Sequence, residues 1–210
     1  MAHTTSNVNI LKIEPLIPPE ELERQLPITP KVAETVLEGR AEIQDILHGH
    51  DDRFLMIVGP CSIHDENAAI EYAGRLKGLA DQVKDKILLV MRVYFEKPRT
   101  SLGWKGLVND PNLDGSSDIP KGLHTARSLL LTLADMGVLS ATEFLDPIVP
   151  QYIANLVSWA AIGARTTESQ MHREMASGLS MPVGFKNGTD GNSQIAVDAM
   201  KTSRAPHAFL

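Results

Sequence analysis

The sequence has one cysteine, no apolar run long enough to cross a membrane, and fewer basic than acidic residues. Cys61 is the single thiol among 210 residues, which excludes an internal disulfide and suits a reducing compartment. The longest apolar stretches have the length of a strand, so no transmembrane helix is expected. The first residues contain no basic segment followed by an apolar core, so we expect no secretory signal. These absences predict a soluble, cytoplasmic protein.

The deficit of positive charge also bears on possible partners. The formal net charge is -6, from 26 acidic and 20 basic residues. A nucleic acid requires a broad basic face, so the acidic balance argues against such a partner. Hydrophobic residues make up 43% of the chain and charged residues 22%, which is typical of a globular domain with a core. We expect neither a nucleic acid nor a membrane as partner.

Proline is concentrated near the start of the chain. Residues 15–19 contain three prolines and residues 27–30 two more, so we interpret residues 1–30 as an extended arm outside the core. Within it, residues 8–13 alternate as a short strand that pairs outside the main body. Thr29 and Pro30 then predict the N-cap and first residue of a helix.

From residue 53 onward, apolar runs of strand length alternate with helical patterns. Helices are predicted at residues 66–83, 120–137, 147–159, 167–178 and 195–202. Strands are predicted at residues 54–58, 87–95, 139–145, 161–165, 182–187 and 207–210. These runs lack strict alternation, which indicates a parallel sheet covered on both faces. At this point an open doubly wound sheet, complete at this length, and a (β/α)8 barrel lacking about two and a half units both remain possible.

Basic residues gather at the ends of the predicted strands. Residues 92–105 contain four of them, against the acidic balance of the whole: Arg92, Lys97, Arg99 and Lys105. Pro98 restrains the backbone of Lys97, so a stiff segment aims this side chain. Ala164 and Arg165 end the predicted fourth strand, just before a predicted helix, where small residues at a helix N-terminus would admit a phosphate. The alternative is that each cation belongs to a solvated strand end.

Cys61 has two possible roles. It follows Gly59-Pro60 at the end of the first strand, with His64 and Asp65 close behind, which suits a metal ligand or a nucleophile. A lone cysteine is more often a packing residue, and that alternative also stands.

Five motifs, in order along the chain, resemble those of the type I, aromatic-amino-acid-regulated 3-deoxy-D-arabino-heptulosonate 7-phosphate synthases. They are G-P-C-S-I-H-D at 59–65, M-R-V-Y-F-E-K-P-R-T at 91–100, G-W-K-G-L at 103–107, G-A-R-T-T-E-S-Q at 163–170 and G-F-K-N-G-T-D-G at 184–191. The resemblance implies a (β/α)8 TIM barrel, of which the chain covers an N-terminal extension and about (βα)5β. Residues 1–30 would be an arm with oligomer contacts, and residues 31–210 one incomplete barrel domain.

The resemblance also implies a reaction and its site. The family condenses phosphoenolpyruvate with D-erythrose 4-phosphate, giving the seven-carbon sugar acid phosphate and inorganic phosphate, the first step of the shikimate pathway. Lys97, Glu143 and Lys186 would be catalytic, with Glu143 near the attacking water. The expected phosphoenolpyruvate contacts are Arg92, Lys97, Ala164, Arg165 and Lys186. The expected erythrose 4-phosphate contacts are Lys97, Pro98, Arg99 and Thr100.

Cys61 would be one ligand of a divalent metal ion in such an enzyme. The other family ligands, a His, a Glu and an Asp, are expected beyond residue 210, so we expect the 210-residue chain alone to be inactive. A thiolate combined with imidazole and carboxylate suits Mn, Fe, Co or Zn.

Feedback regulation is a further implication of the resemblance. Family members are dimers or tetramers inhibited by an aromatic amino acid. The matching effector residues are Pro150, Gln151, Leu179, Ser180 and Phe209. The alternative for each of them is simple packing in the outer layer of the barrel.

Two other functions remain as hypotheses. One is the related synthase of an eight-carbon sugar acid phosphate, which uses arabinose 5-phosphate. The other is a truncated, non-catalytic paralogue that binds an aromatic amino acid or pairs with a full-length subunit.

Overall fold

The computed structural model describes residues 5–10, 13 and 15–208. The elements are α1 (Pro19–Gln25), α2 (Pro30–His48), β1 (Phe54–Val58), α3 (Glu66–Val83), β2 (Ile87–Arg92), α4 (Ile119–Asp135), β3 (Ser140–Glu143), α5 (Pro150–Ile153), a 3-10 turn (Ala154–Leu156), β4 (Trp159–Ile162), α6 (Gln170–Gly178), β5 (Val183–Phe185) and α7 (Gln194–Thr202). Among the helices in these ranges, none combines the length and apolar character of a membrane span.

The five strands form one parallel sheet in the order β1-β2-β3-β4-β5. Each strand therefore pairs with the next one along the chain. A doubly wound sheet would reverse its strand order at a switch point, whereas sequential order is that of a (β/α)8 barrel. The predicted barrel fold is confirmed, and the open sheet is excluded.

The two faces of β2 pack into different layers. Leu88 and Val90 belong to a small inner cluster with Ile43 of α2. Met91 faces the opposite way, into the larger core beneath α3 and α4. Because side chains alternate along a strand, Arg92 continues the inner face of Leu88 and Val90. The strand thus delivers a guanidinium to the inside of the sheet at its carboxyl end.

Helix α2 lies against the amino ends of the strands. Its start is as predicted, because the Thr29 hydroxyl accepts a hydrogen bond from Val32 N at 3.2 Å and Pro30 is the first helical residue. Gly39 packs so tightly on the Leu139 side chain that a Cβ atom would collide with it. This helix covers one end of the sheet and leaves the carboxyl end open to a ligand.

The amino-terminal segment differs from the expected extended arm. Residues 19–25 form α1, and Leu22 is 1% exposed within the main core, because its apolar side chain packs toward the sheet-covering helices. The predicted strand at residues 8–13 is not present in the described part of that range, where residues 8 and 9 form a turn. Residues 11 and 12 lie outside the described residues.

Three further elements differ in the structure from their predicted boundaries. In place of the helix predicted at 147–159, the structure has α5 and a 3-10 turn. Strand β4 begins at Trp159, because this residue pairs with Ala141 of β3. The predicted helix at 167–178 begins only at Gln170, because Ser169 caps it. Residues 207 and 208 of the predicted sixth strand are not in a strand, and residues 209 and 210 lie outside the described residues.

A buried arginine joins the amino-terminal segment to the barrel wall. Arg127 of α4 is 1% exposed and donates to Leu26 O at 3.0 Å, Tyr152 O at 2.8 Å and Asn155 Oδ1 at 2.9 Å. These acceptors belong to the end of α1, to α5 and to the turn after it. A guanidinium with several fixed donors suits such a junction, because a buried carbonyl without a donor is costly.

We predict that Arg127→Met lowers the free energy of unfolding by about 3 kcal/mol, because it removes the donor of the buried Tyr152 carbonyl, of the half-buried Leu26 carbonyl and of the exposed Asn155 side chain. Denaturant unfolding followed by circular dichroism measures the effect. Arg24→Met is the matched control: its exposed guanidinium pairs with Glu21 on the surface of α1, and we expect a loss below about 0.5 kcal/mol. Equal losses in the two variants would contradict the assigned role of Arg127.

Candidate active site

Charged side chains from three strand ends, and a thiol from a fourth, meet at the carboxyl edge of the sheet. Lys97 Nζ, after β2, donates to Cys61 Sγ, after β1, at 2.6 Å. Lys186, after β5, forms an ion pair with Glu143 at the end of β3. Arg92 Nε donates to Pro60 O at 2.8 Å. The structure therefore brings together five of the residues predicted from strand ends, although they are up to 125 positions apart in sequence.

The Cys61 thiol lies in an electropositive setting. It is exposed, and the Lys97 ammonium lowers its pKa, with smaller effects from Arg92 and Lys186. The loop that carries it is held at two points. Ile63 N donates to Tyr94 O at 2.9 Å, and the Asp65 carboxylate caps α3 by accepting from Ala68 N at 2.9 Å. The thiolate form, which binds metals and electrophiles, is favoured here.

The Glu143–Lys186 pair depends on a missing side chain. Glu143 is 3% exposed, while the Lys186 side chain is 43% exposed toward the open edge. Gly163 follows the intervening strand β4, and a Cβ atom there would collide with the Glu143 carboxylate. A glycine between the two strands therefore allows the carboxylate to reach the ammonium.

Arg165 is presented by a tight turn. Thr166 N and Thr167 N both donate to Gly163 O at 3.0 Å, and Arg165 is exposed at the top of this turn. Helix α6 begins five residues later, so the predicted placement of Ala164 and Arg165 at a helix N-terminus is wrong. Backbone N–H groups of the turn, and not of a helix, lie beside Arg165.

Thr167 was not recognised from sequence as part of the site. It is completely buried, and its hydroxyl lies 2.9 Å from Gly163 O and 2.8 Å from Lys186 O. The hydroxyl therefore joins the loop after β4 to the loop after β5. A threonine in a polar turn has no sequence signal for such a role.

The segment after β2 closes on itself. Lys97 N donates to Lys105 O at 2.8 Å, and Arg99 Nε donates to Trp104 O at 2.8 Å. Arg99 and Thr100 are exposed, and Pro98 is half-buried. The predicted second-substrate segment, residues 97–100, is thus a braced loop at the edge of the cluster.

Glu96 is a second residue that sequence reasoning did not single out. It is 4% exposed, and its carboxylate oxygens accept from Leu145 N at 3.1 Å and Asp146 N at 3.0 Å. Burial raises the pKa of Glu96 from its usual 4.5 to about 7. This carboxylate joins the segment after β2 to the loop after β3, two residues beyond Glu143.

Tyr94 is a third. Its ring centroid lies 5.3 Å from Arg92 Cζ and 5.3 Å from Lys186 Nζ. Burial raises the pKa of the Tyr94 hydroxyl to about 12, so the ring remains neutral. The available sequence signal was the alternation of side chains along the predicted strand 87–95. Tyr94 follows Arg92 by two residues in that run, which places the two side chains on the same face.

The described residues do not complete a metal site. Within the ranges that the structure describes, there is no group of three or more His, Cys, Asp and Glu side chains able to hold an ion. Asp65 is occupied as a helix cap, and His64 is exposed. Among the residues that the structure describes, Cys61 offers one metal ligand, because it is exposed and its thiol pKa is lowered.

Three of the predicted effector residues line a cavity that is separate from this cluster. A cavity of about 590 Å³ lies between the loop after β3 and α6, lined by Pro147, Ile148, Pro150, Gln151, Met171, Glu174, Met175, Gly178, Leu179 and Ala208. Ser180 lines a neighbouring cavity of about 300 Å³, which shares Pro150, Gln151 and Leu179. Phe209 lies outside the described residues. Three of the five predicted residues therefore line the larger cavity.

Comparison with known proteins identifies the family. The model of the DAHP synthetase I family matches residues 25–210. The chain is 58% identical, over 206 residues and 98% of its length, to the Trp-sensitive phospho-2-dehydro-3-deoxyheptonate aldolase of Escherichia coli O157:H7. It is 56% identical, over its whole length, to the Phe-sensitive enzyme of E. coli strain K12. It spans 59% and 60% of these two relatives.

A solved structure is similar over the same region. The phospho-2-dehydro-3-deoxyheptonate aldolase from Francisella tularensis SCHU S4 superposes with a TM-score of 0.94 at 57% identity. The superposition covers 96% of this chain and 59% of that one.

We predict that Lys97→Met raises the pKa of the Cys61 thiol, because it removes the hydrogen bond and charge that stabilise the thiolate. The measurement is the rate of alkylation by iodoacetamide as a function of pH, which reports on Cys61 alone because the chain has no other thiol. Lys105→Met is the control, and the pH at which its alkylation rate is half-maximal should equal that of the parent. A midpoint that does not move in Lys97→Met would contradict the assigned contact.

We also predict that Glu96 makes stability depend on pH. The folded state holds the Glu96 proton more tightly than the unfolded chain, so its contribution is present at low pH and is lost as pH rises from 4.5 through about 7. Glu96→Gln cannot ionise. The free energy of unfolding of the variant relative to the parent should therefore increase by about 2 kcal/mol between about pH 5 and pH 8. Denaturant unfolding at several pH values measures this difference, and a constant offset would contradict the prediction.

Proposed function

Because the chain belongs to the DAHP synthetase I family, we propose that it carries the site at which phosphoenolpyruvate condenses with D-erythrose 4-phosphate. The products are 3-deoxy-D-arabino-heptulosonate 7-phosphate and inorganic phosphate, in the first step of aromatic amino acid biosynthesis. The observation that carries this proposal is the convergence of Arg92, Lys97 and Lys186 beside Glu143 on one edge of the sheet.

Phosphoenolpyruvate has two anionic groups, a carboxylate and a phosphate. Arg92 and Lys97, at the end of β2 and in the segment after it, and Lys186, after β5, supply positive charge. Arg165 adds an exposed guanidinium beside the turn at Ala164. Several fixed cations both neutralise such a ligand and orient its enol face. Arg165 and the backbone of Ala164 are assigned to the phosphate.

The catalytic roles follow from the Glu143–Lys186 pair. In the reaction, C3 of phosphoenolpyruvate forms a bond to the aldehyde carbon of the sugar, water adds at C2, and phosphate leaves with cleavage of the C2–O bond. When the anion engages Lys186, the buried Glu143 carboxylate is available to orient the water and accept its proton. Lys97 balances charge on the phosphoenolpyruvate.

The second substrate is assigned to residues 97–100. The loop is braced by its contacts to Trp104 and Lys105, and it presents Arg99 and Thr100 to solvent next to Lys97. Cys61, which Lys97 touches, is proposed as one ligand of a divalent metal ion. When bound, such an ion acts as a Lewis acid that polarises the aldehyde of the sugar.

Regulation by an aromatic amino acid is part of the proposal. The names of the two relatives describe Trp-sensitive and Phe-sensitive enzymes. The cavity of about 590 Å³ beside Pro150, Gln151 and Leu179 has a mixed apolar and polar lining, which suits an aromatic ring with a charged backbone. Ser180 and Phe209 are assigned to the same effector site. Residues 1–30 are proposed to provide contacts between subunits of a homo-oligomer.

We predict that Lys186→Met lowers kcat with erythrose 4-phosphate by about a hundredfold or more, because it removes a charge from the reacting centre. Steady-state turnover of the complete gene product measures this effect. Lys201→Met, an exposed lysine of α7, is the control and should behave as the parent.

The same assay separates the alternative functions. Preference for arabinose 5-phosphate over erythrose 4-phosphate would identify the eight-carbon synthase. Binding of an aromatic amino acid in calorimetry, without any turnover, would favour a non-catalytic binding protein and would overturn the proposed reaction.

A further inference from the structure

The ring of Tyr94 lies close to two cations that come from distant strands. Arg92 ends β2, and Lys186 follows β5, three strands away in the sheet. In a flat sheet three strand spacings amount to about 14 Å. In the curved sheet, both charged groups lie 5.3 Å from the centroid of the same ring.

Each cation also has one fixed partner of its own. Arg92 donates to the Pro60 carbonyl, and Lys186 pairs with Glu143. These partners leave part of each charged group free toward the open edge. Two cations near each other repel, and a neutral aromatic face attracts both, because the π system carries a negative quadrupole.

We propose that Tyr94 is a positioning residue, whose aromatic face holds Arg92 and Lys186 at the separation that a single phosphoenolpyruvate requires. This inference rests on the proposed function, in which the two cations bind that ligand. The ring acts through the cations, and the hydroxyl is not needed for this role. Its backbone carbonyl, which accepts from Ile63 N, is unaffected by a change of side chain.

The size of the effect follows from the strength of cation–π contacts. One such contact at a half-exposed site corresponds to roughly two- to fivefold in an equilibrium constant. Loss of both contacts should therefore weaken phosphoenolpyruvate binding about tenfold. The second substrate contacts a different segment, so its KM should change little.

The test compares Tyr94→Phe with Tyr94→Leu in the complete gene product. Tyr94→Phe keeps the ring and should retain the parent's affinity for phosphoenolpyruvate in calorimetry. Tyr94→Leu keeps an apolar side chain without a π face. It should raise the dissociation constant and the KM for phosphoenolpyruvate about tenfold, with a smaller change in kcat and in the KM for erythrose 4-phosphate. Thermal unfolding establishes that each variant is folded, and Tyr94→Met replaces Tyr94→Leu if the latter does not fold.

A second readout does not depend on turnover. A ring above the Lys186 ammonium shifts the resonance of the neighbouring methylene protons upfield. The shift should be present in the parent and in Tyr94→Phe, and absent in Tyr94→Leu. A parent without this shift overturns the inference.

The outcomes separate the two proposals. A parent that neither binds phosphoenolpyruvate nor turns it over overturns the proposed function. If the parent and Tyr94→Leu bind phosphoenolpyruvate equally well, the role of Tyr94 is overturned and the proposed function still stands. Equal losses in Tyr94→Phe and Tyr94→Leu assign the effect to the hydroxyl and likewise overturn the inference.

Discussion

A glycine at the end of β4 allows side chains of the strands on either side of it to meet. Glu143 belongs to β3 and Lys186 follows β5, so their contact passes over the end of β4. A Cβ atom at Gly163 would collide with Glu143 Oε1 where the carboxylate now lies. The same residue's carbonyl accepts from Thr166 N and Thr167 N, and so closes the turn that exposes Arg165. The lack of a side chain at Gly163 therefore leaves room for the Glu143–Lys186 contact in the candidate site.

Electrostatics explains how so many cations coexist in an acidic chain. Each has a local partner of negative or electron-rich character: Cys61 for Lys97, the Pro60 carbonyl for Arg92, and Glu143 for Lys186. These contacts hold the cations in place at the edge of the sheet. Because an anionic ligand competes with partners that are already present, it gains mainly from pre-organisation, which lowers the entropy lost on binding.

Buried polar side chains brace the loops behind this cluster. Glu96 holds the backbone at Leu145 and Asp146, and Thr167 joins the loops after β4 and β5. His172 of α6 donates from Nε2 to Leu145 O at 2.7 Å and accepts at Nδ1 from Ser169 Oγ, 2.9 Å away. Each polar atom in these contacts is paired, which buried groups require. The loop after β3 is consequently held between the candidate site and the cavity at Pro150 and Gln151.

Local patterns in the sequence determined the elements and the chemical character of the site. The capped helix at Thr29, the strand Phe54–Val58 and the helix Glu66–Val83 follow from periodicity and capping, which act over a few residues. The basic residues at Arg92 and Lys97 likewise indicated an anion site, and the context of Cys61 indicated a metal ligand or a nucleophile. Only the tertiary structure decided that α1 joins the core, that β4 begins at Trp159, and that Tyr94, Glu96 and Thr167 support the site. These features arise from contacts between residues far apart in the chain, whose energies depend on the sheet order and curvature and leave no periodic signal in the sequence.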